Sequence, residues 1–130
     1  MLGNTRNVGA THRVGAGATF EGTLRFSGRL HIDGTIIGAV LADPVEGSEV
    51  VLSVGGRVEG RISAATIIVS GRVQGPIHST VRLDILAGAK VWGDIDYRDL
   101  QIQHGALVEG SLATVENDQV ALKLVANSRI

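Results

Sequence analysis

The feature that most constrains this chain is a five-residue pattern, apolar-any-Gly-any-apolar, that recurs six times. The copies are Phe20-Glu21-Gly22-Thr23-Leu24, Ile36-Ile37-Gly38-Ala39-Val40, Val58-Glu59-Gly60-Arg61-Ile62, Val73-Gln74-Gly75-Pro76-Ile77, Val91-Trp92-Gly93-Asp94-Ile95 and Val108-Glu109-Gly110-Ser111-Leu112. Their glycines are 16, 22, 15, 18 and 17 residues apart. Later copies carry a lead-in of alternating apolar residues, as in Leu30-His31-Ile32, Leu52-Ser53-Val54, Ile67-Ile68-Val69, Leu83-Asp84-Ile85 and Leu100-Gln101-Ile102. A self-similar unit of this length marks a repeat architecture, and each unit reads as short period-two strands divided by a glycine corner.

A period near 18 matches three faces of about six residues, one coil of a triangular β-helix whose strands pair with their equivalents one coil up. An antiparallel sandwich also has short strands, but its hairpins do not require a glycine inside an apolar pair in every unit. The expected fold is therefore all-β, a single-stranded solenoid of about six coils. Stacked at about 4.8 Å, the coils make a rod on the order of 30 Å long. Val58, Val73, Val91 and Val108 should form one inward column, and Ile62, Ile77, Ile95 and Leu112 a second. Burying each such side chain contributes roughly 1.5 to 3 kcal/mol, which gives a core to a chain with 44% hydrophobic but only 3% aromatic residues. An aspartate at Val73 should be severely destabilising.

The repeats place the β-helix at residues 17–113, between an N-terminal tail, 1–16, and a segment 114–130 read either as a tail or as a capping strand over Val120–Val125. The 22-residue interval contains Leu41-Ala42-Asp43-Pro44-Val45-Glu46-Gly47-Ser48-Glu49, whose Asp-Pro pair suits a loop at one corner.

Several function classes have little support. A net charge of −1 with dispersed Arg, Asp and Glu offers no broad positive field for nucleic acid. The absence of cysteine removes disulfides, thiolate nucleophiles and Cys-ligated zinc. No apolar run has the length of a membrane span, and the first residues lack the apolar core of a secretory signal, so a cytoplasmic protein is expected. The glycine motifs contain no phosphate-loop lysine, so no nucleotide or other cofactor is expected.

The runs Phe20-Glu21-Gly22-Thr23-Leu24 with Gly28-Arg29-Leu30-His31-Ile32-Asp33-Gly34, Gly56-Arg57-Val58-Glu59-Gly60, Gly71-Arg72-Val73-Gln74-Gly75 and Val91-Trp92-Gly93-Asp94-Ile95 resemble the bactofilins over residues 17 to 112. The resemblance implies a right-handed triangular β-helix that polymerises end to end, without nucleotide, into non-polar filaments at the inner face of the cell membrane. It also implies scaffolding of cell-wall or shape-determining client proteins. Val108 stands where members often carry an aromatic residue, and Met1, Leu2 and Arg6 are a faint counterpart of a short apolar membrane anchor.

Triangular β-helices also host hexapeptide acyltransferases and zinc carbonic anhydrases, which are the enzyme alternative. Their repeats keep close to multiples of six, unlike the intervals here. His12, His31, His78 and His104 are isolated in sequence, so no metal site and no catalytic residue is assigned. Asp94, Asp96 and Asp99 read as a solvated face, Arg57, Arg72 and Lys90 as an outward basic stripe, and Trp92 as an outward aromatic. The expected partner is a second copy of the chain, met through Phe20, Leu24 and Phe26 at one end and Leu107, Val108 and Leu112 at the other. Val108→Arg is expected to block the second junction while the monomer stays folded.

Overall fold

The computed structural model describes residues 11–43, 45–114 and 121–125. The first coil holds β1 (Thr11–Val14) and β2 (Thr19–Phe26), and the second β3 (Arg29–Ile32) and β4 (Thr35–Ala42). The third consists of β5 (Glu49–Leu52), β6 (Arg57–Glu59) and the start of β7 (Ile62–Val69). The end of β7, β8 (Arg72–Gln74) and the start of β9 (Ile77–Ile85) make the fourth. The fifth has the end of β9, β10 (Lys90–Trp92) and β11 (Ile95–Tyr97), and the sixth β12 (Leu100–Ile102) and β13 (Leu107–Thr114). A last strand, β14 (Ala121–Val125), follows. The described chain is all-β, a parallel solenoid of about six turns.

Strand pairing connects each coil to the next in register, and this produces three faces. On the first, β1, β3, β5, the end of β7, the end of β9 and β12 stack, carrying the column Val14, Ile32, Leu52, Val69, Ile85, Ile102. The second stacks Phe20, Ile36, Val58, Val73, Val91 and Val108. The third stacks Leu24, Val40, Ile62, Ile77, Ile95 and Leu112. From Ile36 to Val108 and from Val40 to Leu112 every member of the last two columns is buried. The two columns are those the repeat predicts, extended upward to Phe20 and Leu24.

The central glycine of the repeat has two separate reasons. It turns the chain from the second face to the third with positive φ, +143° at Gly75 and +145° at Gly60, where side chains are strained. It also stacks on its own equivalent: a Cβ on Gly75 would overlap the carbonyl of Gly60, and one on Gly60 that of Gly38. At Gly22, the first of the column, a Cβ would meet nothing within 4 Å.

The extra residues of the long interval lie at the corner from the third face to the first. Buried Ser48 fixes them: its hydroxyl donates to the Val45 carbonyl and accepts from the Ala65 amide at 2.9 Å. Buried Ser79 uses a related device two coils on, its single hydroxyl proton shared between the carbonyls of Ala65 (3.0 Å) and Arg82 (2.7 Å). Both buried polar side chains among the described residues are thereby satisfied.

Two boundaries differ from the repeat-based reading. Thr11–Val14, assigned to the tail, form β1 and pair in parallel with β3, so the solenoid begins before residue 17. His12 hides the pattern by occupying the inward register position that Leu30 fills one coil on. At the other end β14 pairs with β13, and of the two alternatives for that segment the strand is the one present over Ala121–Val125. Residues 1–10, Pro44, 115–120 and 126–130 lie outside the described residues, and Met1, Leu2 and Arg6 are among them.

Candidate assembly site: the two ends of the solenoid

A parallel solenoid satisfies the backbone groups of its strands between coils, and only tight turns such as Gly56 N to Ser53 O (2.8 Å) and Ala89 N to Leu86 O (3.1 Å) close within one coil. The residues that leave these corners bond to the coil before, Arg57 N donating to Gly34 O at 2.9 Å, Lys90 N to Gly71 O at 3.0 Å and Leu107 N to Ala89 O at 2.9 Å. Unpaired strand edges and uncovered apolar layers are therefore confined to the two ends.

At the N-terminal end, β1 and β2 have no strand on their outer side among the described residues. The inward side chains of this coil, Val14, Phe20 and Leu24, are half-buried and pack on the core from above. Phe26 is buried and sits over Ala42, so a large ring covers a small residue. Of the residues expected at this junction, Phe20 and Leu24 present part of their apolar surface to the end, and Phe26 is 7% exposed and belongs to the core.

The C-terminal end is different. Val108 is 1% exposed and Leu112 4%, so both are members of the core, and Leu107 lies in the outward column of Arg57, Arg72 and Lys90. The edge of β13 from Glu109 to Ala113 is already paired with β14. What remains open is the first face, where Leu100 and Ile102 of β12 are half-buried. These two, with Val14, are end residues that the sequence reading did not select. They are the first and last members of the lead-in columns, and extending those columns to the chain's extremes would have found them.

The sides of the rod carry charge. Arg13 pairs with Asp33 (3.0 Å) and Arg29 with Glu49 (2.8 Å), each pair linking successive coils. Arg57, Arg72 and Lys90 stack as the repeat predicts and are exposed, Arg57 pairing with Glu59 at 3.1 Å. Trp92 lies in the outward column with Glu59 and Gln74 and is half-buried, and Asp94, Asp96 and Asp99 are exposed.

Stacking does bring one reactive-looking set together. Ser63, His78 and Asp96 are consecutive in an outward column of the third face, beside an open cleft of ≈ 300 Å³ that Arg61 and Pro76 also line. His78 Nδ1 lies 3.5 Å from Asp96 Oδ2, with their side chains 44% and 54% exposed. The cleft is open to water, and the pair is at the outer limit of hydrogen bonding, so the column lacks the tight orientation and water exclusion that a triad needs. Among the described residues no group of three His, Asp or Glu side chains converges on a possible metal position.

A family model described as Bactofilin, polymer-forming cytoskeletal, matches residues 12–113. The chain belongs to the bactofilin family. The matched span covers all six coils, and its start at residue 12 agrees with β1 as part of the solenoid. No curated protein and no solved structure matches the chain. The family is a structural, cytoskeletal one, and its polymer-forming character fits a bactofilin rod whose unsatisfied groups gather at its ends. No helix among the described residues is long and apolar enough to cross a membrane.

Proposed function

We propose that this bactofilin is the subunit of a nucleotide-independent, non-polar filament, assembled through the ends of the solenoid, that scaffolds membrane-associated or cell-wall proteins at the inner face of the cell membrane. The observation that carries the reading is the first coil. It leaves Val14, Phe20 and Leu24 half-covered beside the edges of β1 and β2, which no described strand pairs, and this is the condition under which another coil adds favourably. A two-fold contact there sets each residue against its own equivalent and gives filaments without polarity. Leu107, Val108 and Leu112 retain a place in the opposite junction as the layer just beneath it, with Leu100 and Ile102 beside them. Met1, Leu2 and Arg6 are the proposed membrane contact.

Negative-stain microscopy of the purified, nucleotide-free protein tests the assembly. Filaments are the expected result, and discrete trimers would point instead to an enzyme of the hexapeptide type. Liposome co-sedimentation of the full chain against Leu2→Ala/Arg6→Ala tests the membrane contact, with equal binding counting against it. One basic side chain contributes only about 1 kcal/mol at an anionic surface, and repetition along a polymer multiplies this.

A further inference from the structure

The pairing of β14 with β13 is the one antiparallel contact among the described strands; every other pairing is parallel and rises by one coil. Its register runs from Glu109↔Val125 through Ser111↔Lys123 to Ala113↔Ala121, across the last glycine corner and along the third face of the sixth coil. That orientation has a consequence for assembly. A two-fold axis perpendicular to the rod reverses strand direction, so the last coils of two copies joined like-to-like present their edges to each other antiparallel. β14 already sits on β13 in that sense, and the outward donors and acceptors of residues 109–113 cannot serve both.

We propose that β14 is an internal occupant of the C-terminal junction, and that a second copy of the chain displaces it when the polymer grows. This rests on the filament reading. Two physical terms set the balance between β14 and a second copy. β14 is five residues long and pairs with β13 alone among the described strands, so its hold is a short strand edge of the kind that opens locally at small cost. It is tethered through only residues 115–120, which gives it an effective concentration on the order of millimolar over that edge. A free subunit therefore keeps the β13 edge of its C-terminal end closed when dilute, while no described strand closes the N-terminal coil. Pairs joined through the first coil form before long filaments do, and filament growth has a concentration threshold set by β14.

The chain has no cysteine, so the register supplies a clean lock. In the full-length Ser111→Cys/Lys123→Cys variant, oxidation should hold β14 in place and stop assembly at dimers in analytical ultracentrifugation, and reductant should restore long polymers. Circular dichroism of the oxidised form should retain the parental β signal. A second full-length variant, Leu122→Pro/Lys123→Pro, removes one β13-directed donor whichever of the two residues supplies it, because donors alternate along an antiparallel edge. Its polymerisation threshold should fall at least about fivefold, the effect of losing one hydrogen bond's net contribution. Oxidised chains that polymerise as long as reduced ones would overturn the proposal, as would loss of polymer in the proline variant, which would make β14 part of the junction. If the parent remains monomeric at every concentration, the filament reading itself fails and takes this inference with it.

Discussion

In the column where the N-terminal coil carries a half-exposed Phe20, the C-terminal coil carries Val108 at 1% exposure; where the first has half-exposed Leu24, the last has Leu112 at 4%. The two ends follow one coil plan and differ in what lies over them. At the first end no described strand covers the edge, and at the last β14 covers residues 109–113 while Leu100 and Ile102 remain partly open. In a solenoid the interior coils are nearly interchangeable, so the differences that govern behaviour collect where the repetition stops.

The comparison presupposes that the interior columns hold the coils together, and Val73→Asp breaks that most completely. Val73 is fully buried between Val58 and Val91 on the second face. A carboxylate there has no partner in the column, and its cost, on the order of 5 kcal/mol, is comparable with the stability of a small domain. Thermal melting should show the β signal lost or the midpoint sharply lowered, and a parental melt would mean that the register is misassigned.

Glycines of one column sharpen the comparison between interior and end. Gly75→Ala meets positive φ and the Gly60 carbonyl together, whereas Gly22→Ala meets φ +121° with open space around the new methyl. Backbone strain alone costs about 1 to 3 kcal/mol, so Gly22→Ala should lower stability by that amount. Gly75→Ala adds an overlap with backbone that only separation of two coils can relieve, and it should cost clearly more. Equal denaturant midpoints for the two variants would show that stacking adds nothing to the glycine requirement.

Val108→Arg tests the C-terminal end, with an outcome revised by the structure. Val108 belongs to the core, so the variant should lose about 2 to 4 kcal/mol and loosen the sixth coil, a smaller loss than at Val73 because an arginine this near the end can extend its charge towards water. Reduced β signal with reduced polymer is expected. An intact melt with blocked polymer would return Val108 to the junction.

Much of this was legible because a repeat states its register again in each coil. The glycine corners, the inward columns of the second and third faces and the outward position of Arg57, Arg72 and Lys90 follow from spacing, since successive copies must superimpose for parallel strands to pair. On the first face, by contrast, the lead-in Leu52-Ser53-Val54 is two residues late: Val50 and Leu52 are the partners of Leu30 and Ile32, and Val54 is exposed. The ends were less legible for the same reason. β1 was missed because Thr11-His12-Arg13-Val14 puts an imidazole where later coils have Leu30, Val50 and Ile67, and the end coil tolerates it because water reaches that position. The choice of Val108 and Leu112 as interface treated last in sequence as outermost in space. Nothing in the alternation of Val120–Val125 says which edge such a strand will take, so the cover over β13 is a tertiary fact that local pattern does not encode.

The smallest expected effect on folding comes with a decisive effect on assembly, at Phe20. Its ring is half-buried, stacks on Ile36 and has no described strand on its outer side. Phe20→Arg therefore gives up part of one apolar contact, about 1 kcal/mol, and lets the guanidinium reach water past the end of the rod. Across a two-fold N-terminal junction the same charge appears twice, face to face, and a desolvated like-charge pair opposes the contact. Light scattering should then show no long polymer, with the melting curve almost unchanged. Salt supplies the control: screening at high ionic strength should recover part of the assembly if repulsion is the cause. Polymers of parental length in low salt would place the junction away from Phe20 and remove the first coil as the open end of the rod.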